Sequence, residues 1–204
     1  MTPWEKYQDD LSLIDFQYDE AQENAVKELQ RLYDELTQPQ KKRKWRISLK
    51  ARFGRGMTKP RIQGIYFWGG VGRGKTYLMD SFFESLPLDK KIRLHFHRFM
   101  RRVHKDLKRL QGEKNPLTIV AANIANEAHV ICFDEFFVSD IADAMLLGKL
   151  FELLFSLNVV LVATSNVEPD NLYLNGLQRK QFLPAIKSLK KNTKVYNVDS
   201  GIDY

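Results

Sequence analysis

The eight residues Gly69-Gly70-Val71-Gly72-Arg73-Gly74-Lys75-Thr76 constrain the fold of this chain more than any other stretch. They match the pattern G-x-x-x-x-G-K-[ST], preceded by a short apolar strand at Ile65–Trp68 and followed by a helix over Lys75–Leu86. Glycines let a backbone fold around phosphates with its N–H groups turned inward. The N-terminus of the following helix adds partial positive charge. The Lys75 ammonium is placed to reach β- and γ-phosphates, and the Thr76 hydroxyl to ligate Mg²⁺. The stretch therefore predicts a cradle for ATP and Mg²⁺ formed by Gly69, Gly70, Val71, Gly72, Arg73, Gly74, Lys75, Thr76 and Tyr77. Arg73 is expected to point to solvent.

A turn of this kind sits in an α/β domain, and the rest of the chain reads that way. Strands are expected at Ile92–Phe96, Val130–Phe133, Val159–Ala163 and Val195–Val198, the third of them fully apolar. Helices are expected at Phe99–Leu110, after Asn115-Pro116, at Ile141–Leu157 and at Gln178–Lys190. Asn115 and Asp140 are expected to cap their helices, and Asn158 to end one. Strands alternating with helices predict a parallel sheet covered on both faces, and the apolar, unalternating strands among them fit such burial. The chain divides into an N-terminal segment (1–39) with an amphipathic helix at Tyr18–Leu36, a basic connector (40–63) and a nucleotide-binding core (64–204).

The strand Val130–Phe133 delivers Asp134 and Glu135 to the carboxyl edge of the sheet, where open α/β sheets bind ligands. Asp134 is expected to hold the Mg²⁺ shell, and Glu135 to orient and polarise an attacking water. The next apolar strand ends in Thr164-Ser165-Asn166, so Asn166 is expected beside the γ-phosphate and the water. Arg179 is a candidate for the guanidinium that meets developing charge in a neighbour's site, its other reading being a surface residue on a helix. His95 and His97 are placed on one strand face. With no Cys or carboxylate close in sequence, they and His104 read as structural or partner-binding groups. Cys132 reads as a small buried hydrophobe.

The net charge of +7 comes from one place. Between Lys41 and Arg61 lie ten cations and no carboxylate, and without them the remainder carries −3. The stretch reads as a solvated connector or as an arm for an acidic partner: nucleic acid, anionic lipid or an acidic protein tail. No apolar run approaches the about 20 residues of a membrane span. A single cysteine and an acidic N-terminus without an apolar core region fit a cytoplasmic protein.

The glycine-rich turn, the phrases Leu94-His95-Phe96-His97-Arg98-Phe99-Met100 and Val103-His104, the run Asp134–Met145, Ala163-Thr164-Ser165-Asn166 and Asn175-Gly176-Leu177-Gln178-Arg179 together resemble the ZapE family of AAA+ ATPases from about Ala21 onward. The resemblance implies a five-stranded sheet in the order 5-1-4-3-2 and ATP hydrolysis that acts on FtsZ polymers at the division ring. It also implies self-association into an AAA+ oligomer, with Arg179 entering the neighbouring site, and peripheral contact with the division-site membrane. Such proteins continue into a helical lid. A chain that ends at Tyr204, just past the last strand, is therefore expected to lack that lid and to turn over weakly or not at all. Two other functional classes share parts of the pattern: a helicase-loader-like or DNA-binding ATPase, through the basic connector and the Arg98–Arg109 helix, and a nucleotide or small-molecule kinase.

Overall fold

The computed structural model describes residues 1–13, 18–38 and 61–199. The basic connector lies outside these residues except for its last three positions, as do residues 200–204. Among the described residues there are seven α-helices and five strands. In chain order they are α1 (Pro3–Asp10), α2 (Glu20–Thr37), β1 (Gly64–Trp68), α3 (Lys75–Ser85), β2 (Lys91–His95), α4 (Phe96–Arg109), α5 (Pro116–Glu127), β3 (Val130–Asp134), α6 (Ile141–Ser156), β4 (Val160–Ser165), α7 (Arg179–Asn192) and β5 (Thr193–Asn197). All strand pairs are parallel and the order is β2-β3-β4-β1-β5, as the family resemblance implied. None of the described helices is long and apolar enough to cross a membrane.

The two-residue period of each strand sends alternate side chains into two separate cores. Ile65, Phe67, Val130, Cys132, Val160 and Val162 meet α1, α2 and α3 on one face. Tyr66, Ile131, Phe133, Leu161 and Ala163 meet α4 to α7 on the other. With both faces covered, the central strands are apolar up to their carboxyl ends, where Asp134, Thr164 and Ser165 stand.

Helix ends follow local chemistry. The Asp19 carboxylate accepts from Ala21 N at 2.8 Å and starts α2, and that of Asp140 accepts from Ala142 N at 2.7 Å and starts α6. Asn158 ends α6 in the left-handed conformation, with φ 62°. The N-terminal ten residues, read from sequence only as acidic, form α1 through a capping box: Glu5 N donates to Thr2 Oγ1 (3.2 Å) and Thr2 N donates to Glu5 Oε2 (2.8 Å). Tyr7 then docks α1, completely buried.

Two local expectations are corrected. Asn115 does precede α5, but at φ 59° its side chain makes no capping hydrogen bond, and Pro116 at the first helical position makes the start. His95 and His97 do not share a strand face. β2 stops at His95, and α4 begins at Phe96 without a loop, which puts His97 on the helix. Helix geometry is favoured there because it buries Phe96 against Phe133 and Phe136, with centroids 5.5 and 4.4 Å away. The other elements lie within about two residues of the sequence reading, inside the ordinary scatter of helix and strand ends.

Candidate phosphate-binding site

The loop between β1 and α3 is a cradle of backbone groups. Gly72 (φ 81°) and Gly74 (φ 71°) adopt left-handed conformations that a residue with a Cβ resists. At Gly74 a Cβ would also lie 2.6 Å from the Gln22 side chain. Gly69 N donates to Ser165 O at 3.3 Å, tying the loop to β4.

An anionic group already sits on this loop. The Asp199 carboxylate, just past β5, accepts from Gly70 N at 2.8 Å and lies 3.3 Å from Arg73 Nε. A carboxylate oxygen is thus accommodated on a backbone N–H of the loop beside a guanidinium. Arg73 consequently lies along the loop with its side chain only 16% exposed, and not out in solvent as expected. Lys75 Nζ folds back to donate to Gly69 O at 2.7 Å and also to Gly70 O. Burial lowers its pKa, and the nearby Asp199 charge works in the opposite direction. The hydrogen-bond partners of Lys75 Nζ are carbonyl oxygens, with no carboxylate among the described residues in direct contact. Thr76 is exposed at the start of α3. Tyr77 faces away: its hydroxyl donates to Asp10 Oδ2 at 2.7 Å, and burial followed by that carboxylate pushes its phenol up.

The second half of the site is made of side chains. Asp134 ends β3 with its side chain 19% exposed. Arg93, from the neighbouring β2, donates to it from Nε (2.8 Å) and Nη2 (3.3 Å). The other arm of the same guanidinium binds Asp80 on α3. Burial opposes the charge of Arg93, but the two carboxylates outweigh it and raise its pKa. Arg93 was missed by the sequence reading. The available signal was an arginine between two apolar residues, Ile92 and Leu94, in a strand expected inside the sheet, where a half-buried cation needs an anion beside it.

Glu135 takes a left-handed conformation, φ 53°. Its backbone is latched to β4: Glu135 N donates to Thr164 Oγ1 (3.3 Å), Phe136 N to Thr164 O (2.7 Å), and Ser165 Oγ to Phe136 O (2.7 Å). Phe136 is wedged among Tyr66, Phe96 and Phe151 and anchors the turn from below. The Glu135 carboxylate therefore projects outward, 80% exposed, 3.7 Å from His95 Nδ1. Asn166 follows β4 directly and is exposed at the same edge.

Gly69–Thr76, Asp134, Glu135 and Asn166 thus meet along the carboxyl edge of β1, β3 and β4. Arg179 begins α7 and donates to Asp170 O of its own chain at 2.6 Å. The rings of His95 and His97 lie 5.8 Å apart, and His104 Nε2 pairs with Asp143 at 2.6 Å. Among the described residues no group of three or more His, Cys, Asp and Glu is arranged to hold a metal unaided. Thr76 and Asp134 nevertheless suit Mg²⁺, which keeps several waters and takes one or two protein oxygens beside substrate phosphates. Cys132 is fully buried, and burial pushes its thiol up to about 12, so it is inert packing.

A family model described as AFG1-like ATPase matches residues 1–204. The chain belongs to the AFG1-like ATPase family. It is 50% identical, over its whole length, to the cell division protein ZapE of Escherichia coli K12, of which it spans 56%. Among solved structures it is similar to DnaI (TM-score 0.59, 16% identity, covering 91% of this chain and 89% of that one). It is also similar to AMPPCP-bound DnaA of Aquifex aeolicus (TM-score 0.59, 15% identity, covering 90% and 48%). At those identities the likeness concerns the fold, and it places this AFG1-like chain among P-loop nucleotide-binding folds.

Proposed function

We propose that this chain binds ATP with Mg²⁺ at Gly69–Thr76 and hydrolyses it to drive work on a partner in cell division, with FtsZ polymers as the target. The observation that carries the reading is the Asp199 carboxylate seated on Gly70 N, beside an ammonium at Lys75 that has only carbonyl partners. A phosphate would replace Asp199 and draw Lys75 off its own loop. Mg²⁺, held by Thr76 and Asp134, would neutralise charge on the β- and γ-phosphates. Arg93 positions Asp134 through its two hydrogen bonds. Glu135 orients a water for in-line attack, and Asn166 contacts the γ-phosphate and that water. Arg179, once released from Asp170 O, completes the site of a neighbouring copy. FtsZ and oligomerisation rest on the likeness to ZapE and on the family. The basic segment Lys41–Arg61 would meet an acidic FtsZ tail.

The test is the hydrolysis rate per subunit against protein concentration, with and without FtsZ. A rate that rises with concentration and disappears in Arg179→Ala supports a site shared between copies. A rate independent of concentration removes the shared site. Neutralising the Lys41–Arg61 cations should weaken FtsZ binding and its salt dependence, and unchanged binding removes that link.

A second reading is a DNA-dependent ATPase. The groove between α4 and α5, with a volume of 860 Å³, is lined by Arg98, Arg101, Arg102, Lys105 and Arg109, with Asp106 and Glu127 as its two carboxylates. Hydrolysis stimulated by DNA, with affinity falling steeply with salt, would favour it over the FtsZ reading.

A further inference from the structure

Gln22 has no part in the hydrolytic chemistry above, yet among the described residues it is a buried polar group with an unpartnered acceptor. It lies in the first turn of α2 and is only 5% exposed. Its Oε1 is buried without a hydrogen-bond partner. Folded chains rarely leave such an acceptor unpaired unless a partner arrives later. The amide is directed at the phosphate cradle: its Nε2 is the atom that a Cβ on Gly74 would strike, at 2.6 Å. The turn that carries it is fixed, because Ala21 N and Gln22 N both donate to Asp19 Oδ1, at 2.8 and 3.4 Å.

The sheet order says which end of a nucleotide meets this amide. Asp134 and Asn166 stand at the ends of β3 and β4, on one side of β1. On the other side α2 packs over α3 and β1, and Glu28 pairs with Lys194 of β5 at 3.0 Å. A triphosphate whose terminal phosphate faces Asp134 and Glu135 therefore sends its sugar and base toward α2. Resting on the P-loop reading, we propose that Gln22 is the residue that reads the base, and that it selects adenine over guanine. A carboxamide offers one acceptor and one donor side by side. Adenine presents the complement, an exocyclic amine that donates and a ring nitrogen that accepts. Guanine presents two acceptors on the corresponding edge, so Oε1 would face O6 with no proton between them. A half-turn of the terminal amide exchanges Oε1 and Nε2, so both can be offered at Gly74.

The test measures Mg²⁺-dependent binding of ATP, GTP and inorganic tripolyphosphate to the wild-type chain, Gln22→Met and Lys75→Ala. Tripolyphosphate makes the phosphate contacts but carries no base. Wild type is expected to prefer ATP over GTP by about tenfold to a hundredfold, the range of one well-made bidentate pair. Gln22→Met, of similar volume, is expected to erase that preference and leave tripolyphosphate binding unchanged. Its melting temperature without nucleotide is expected to stay level or rise, because Oε1 makes no hydrogen bond there; a purely structural glutamine would lower it. A preserved ATP-to-GTP ratio in Gln22→Met, or no preference in wild type, overturns the inference while leaving the P-loop reading intact. Tripolyphosphate binding that survives Lys75→Ala, or a wild type that binds none of the three ligands, overturns the P-loop reading itself and this inference with it.

Discussion

The two halves of the site are built from different materials. The β1–α3 half is backbone, a loop of N–H groups whose shape is set by glycines at positive φ, with one ammonium at its mouth. The β3–β4 half is side chains: a carboxylate ion-paired by Arg93, and a second one projected by a left-handed turn that Thr164 and Ser165 hold. In each half a charged group already has a partner within the chain: Asp199 is a placeholder on the loop beside Arg73, and Arg93 holds Asp134. The nucleotide-free protein therefore tolerates a concentration of charge at one sheet edge, and a ligand has to exchange partners instead of entering an unpaired field.

This comparison predicts that damage to the side-chain half affects rate, and damage to the backbone half affects binding. The largest effect expected is for Glu135→Gln, which keeps the shape of the turn but loses the base. Turnover should fall by about a hundredfold or more with nucleotide affinity nearly unchanged, as read from kcat and from a direct binding titration. Equal losses in both would merge the two halves. Arg93→Met leaves Asp134 and Asp80 without their shared cation. Both are partly solvated, so the cost is about 1–3 kcal/mol, or a Tm lower by about 2–12 °C in a thermal melt. An unchanged Tm would mean that Arg93 does not hold the side-chain half together. Asp199→Asn keeps the hydrogen bond to Gly70 N but removes the competing charge, so affinity for a triphosphate should rise a few-fold, roughly as one exposed ion pair is worth. Weaker binding would make Asp199 part of the nucleotide site and not a placeholder. The smallest effect is expected from Thr2→Ala, which removes the cap of α1 and should cost about 0.5–1 kcal/mol with turnover per folded molecule unchanged.

The backbone half was legible in sequence because its chemistry is local: eight consecutive residues carry the glycines, the ammonium and the hydroxyl. Asp134 and Glu135 were legible because four apolar residues run straight into them. The partners of the side-chain half were not legible. Arg93 and Asp134 are 41 positions apart and Thr164 and Glu135 are 29 apart, and only the parallel pairing of β2, β3 and β4 brings them together. Asp199 is 129 positions from Gly70, which is why Arg73 was expected in solvent when it actually lies along that carboxylate. The helix at Pro3–Asp10 had a readable signal in Thr2-Pro3-Trp4-Glu5, a capping box that was overlooked. The break between His95 and His97 had no such signal, because it is set by the aromatic cluster around Phe133 and Phe136.

The most direct test is calorimetric titration of Mg²⁺·ATP into the wild-type chain and into Lys75→Ala. The account predicts one site per chain in the wild type, with affinity reduced by about a hundredfold or more in Lys75→Ala, the loss of a charge-assisted contact to phosphate. Equal affinity in the two proteins would contradict it, because the anion-binding loop from Gly69 to Thr76 would then not be where the nucleotide sits.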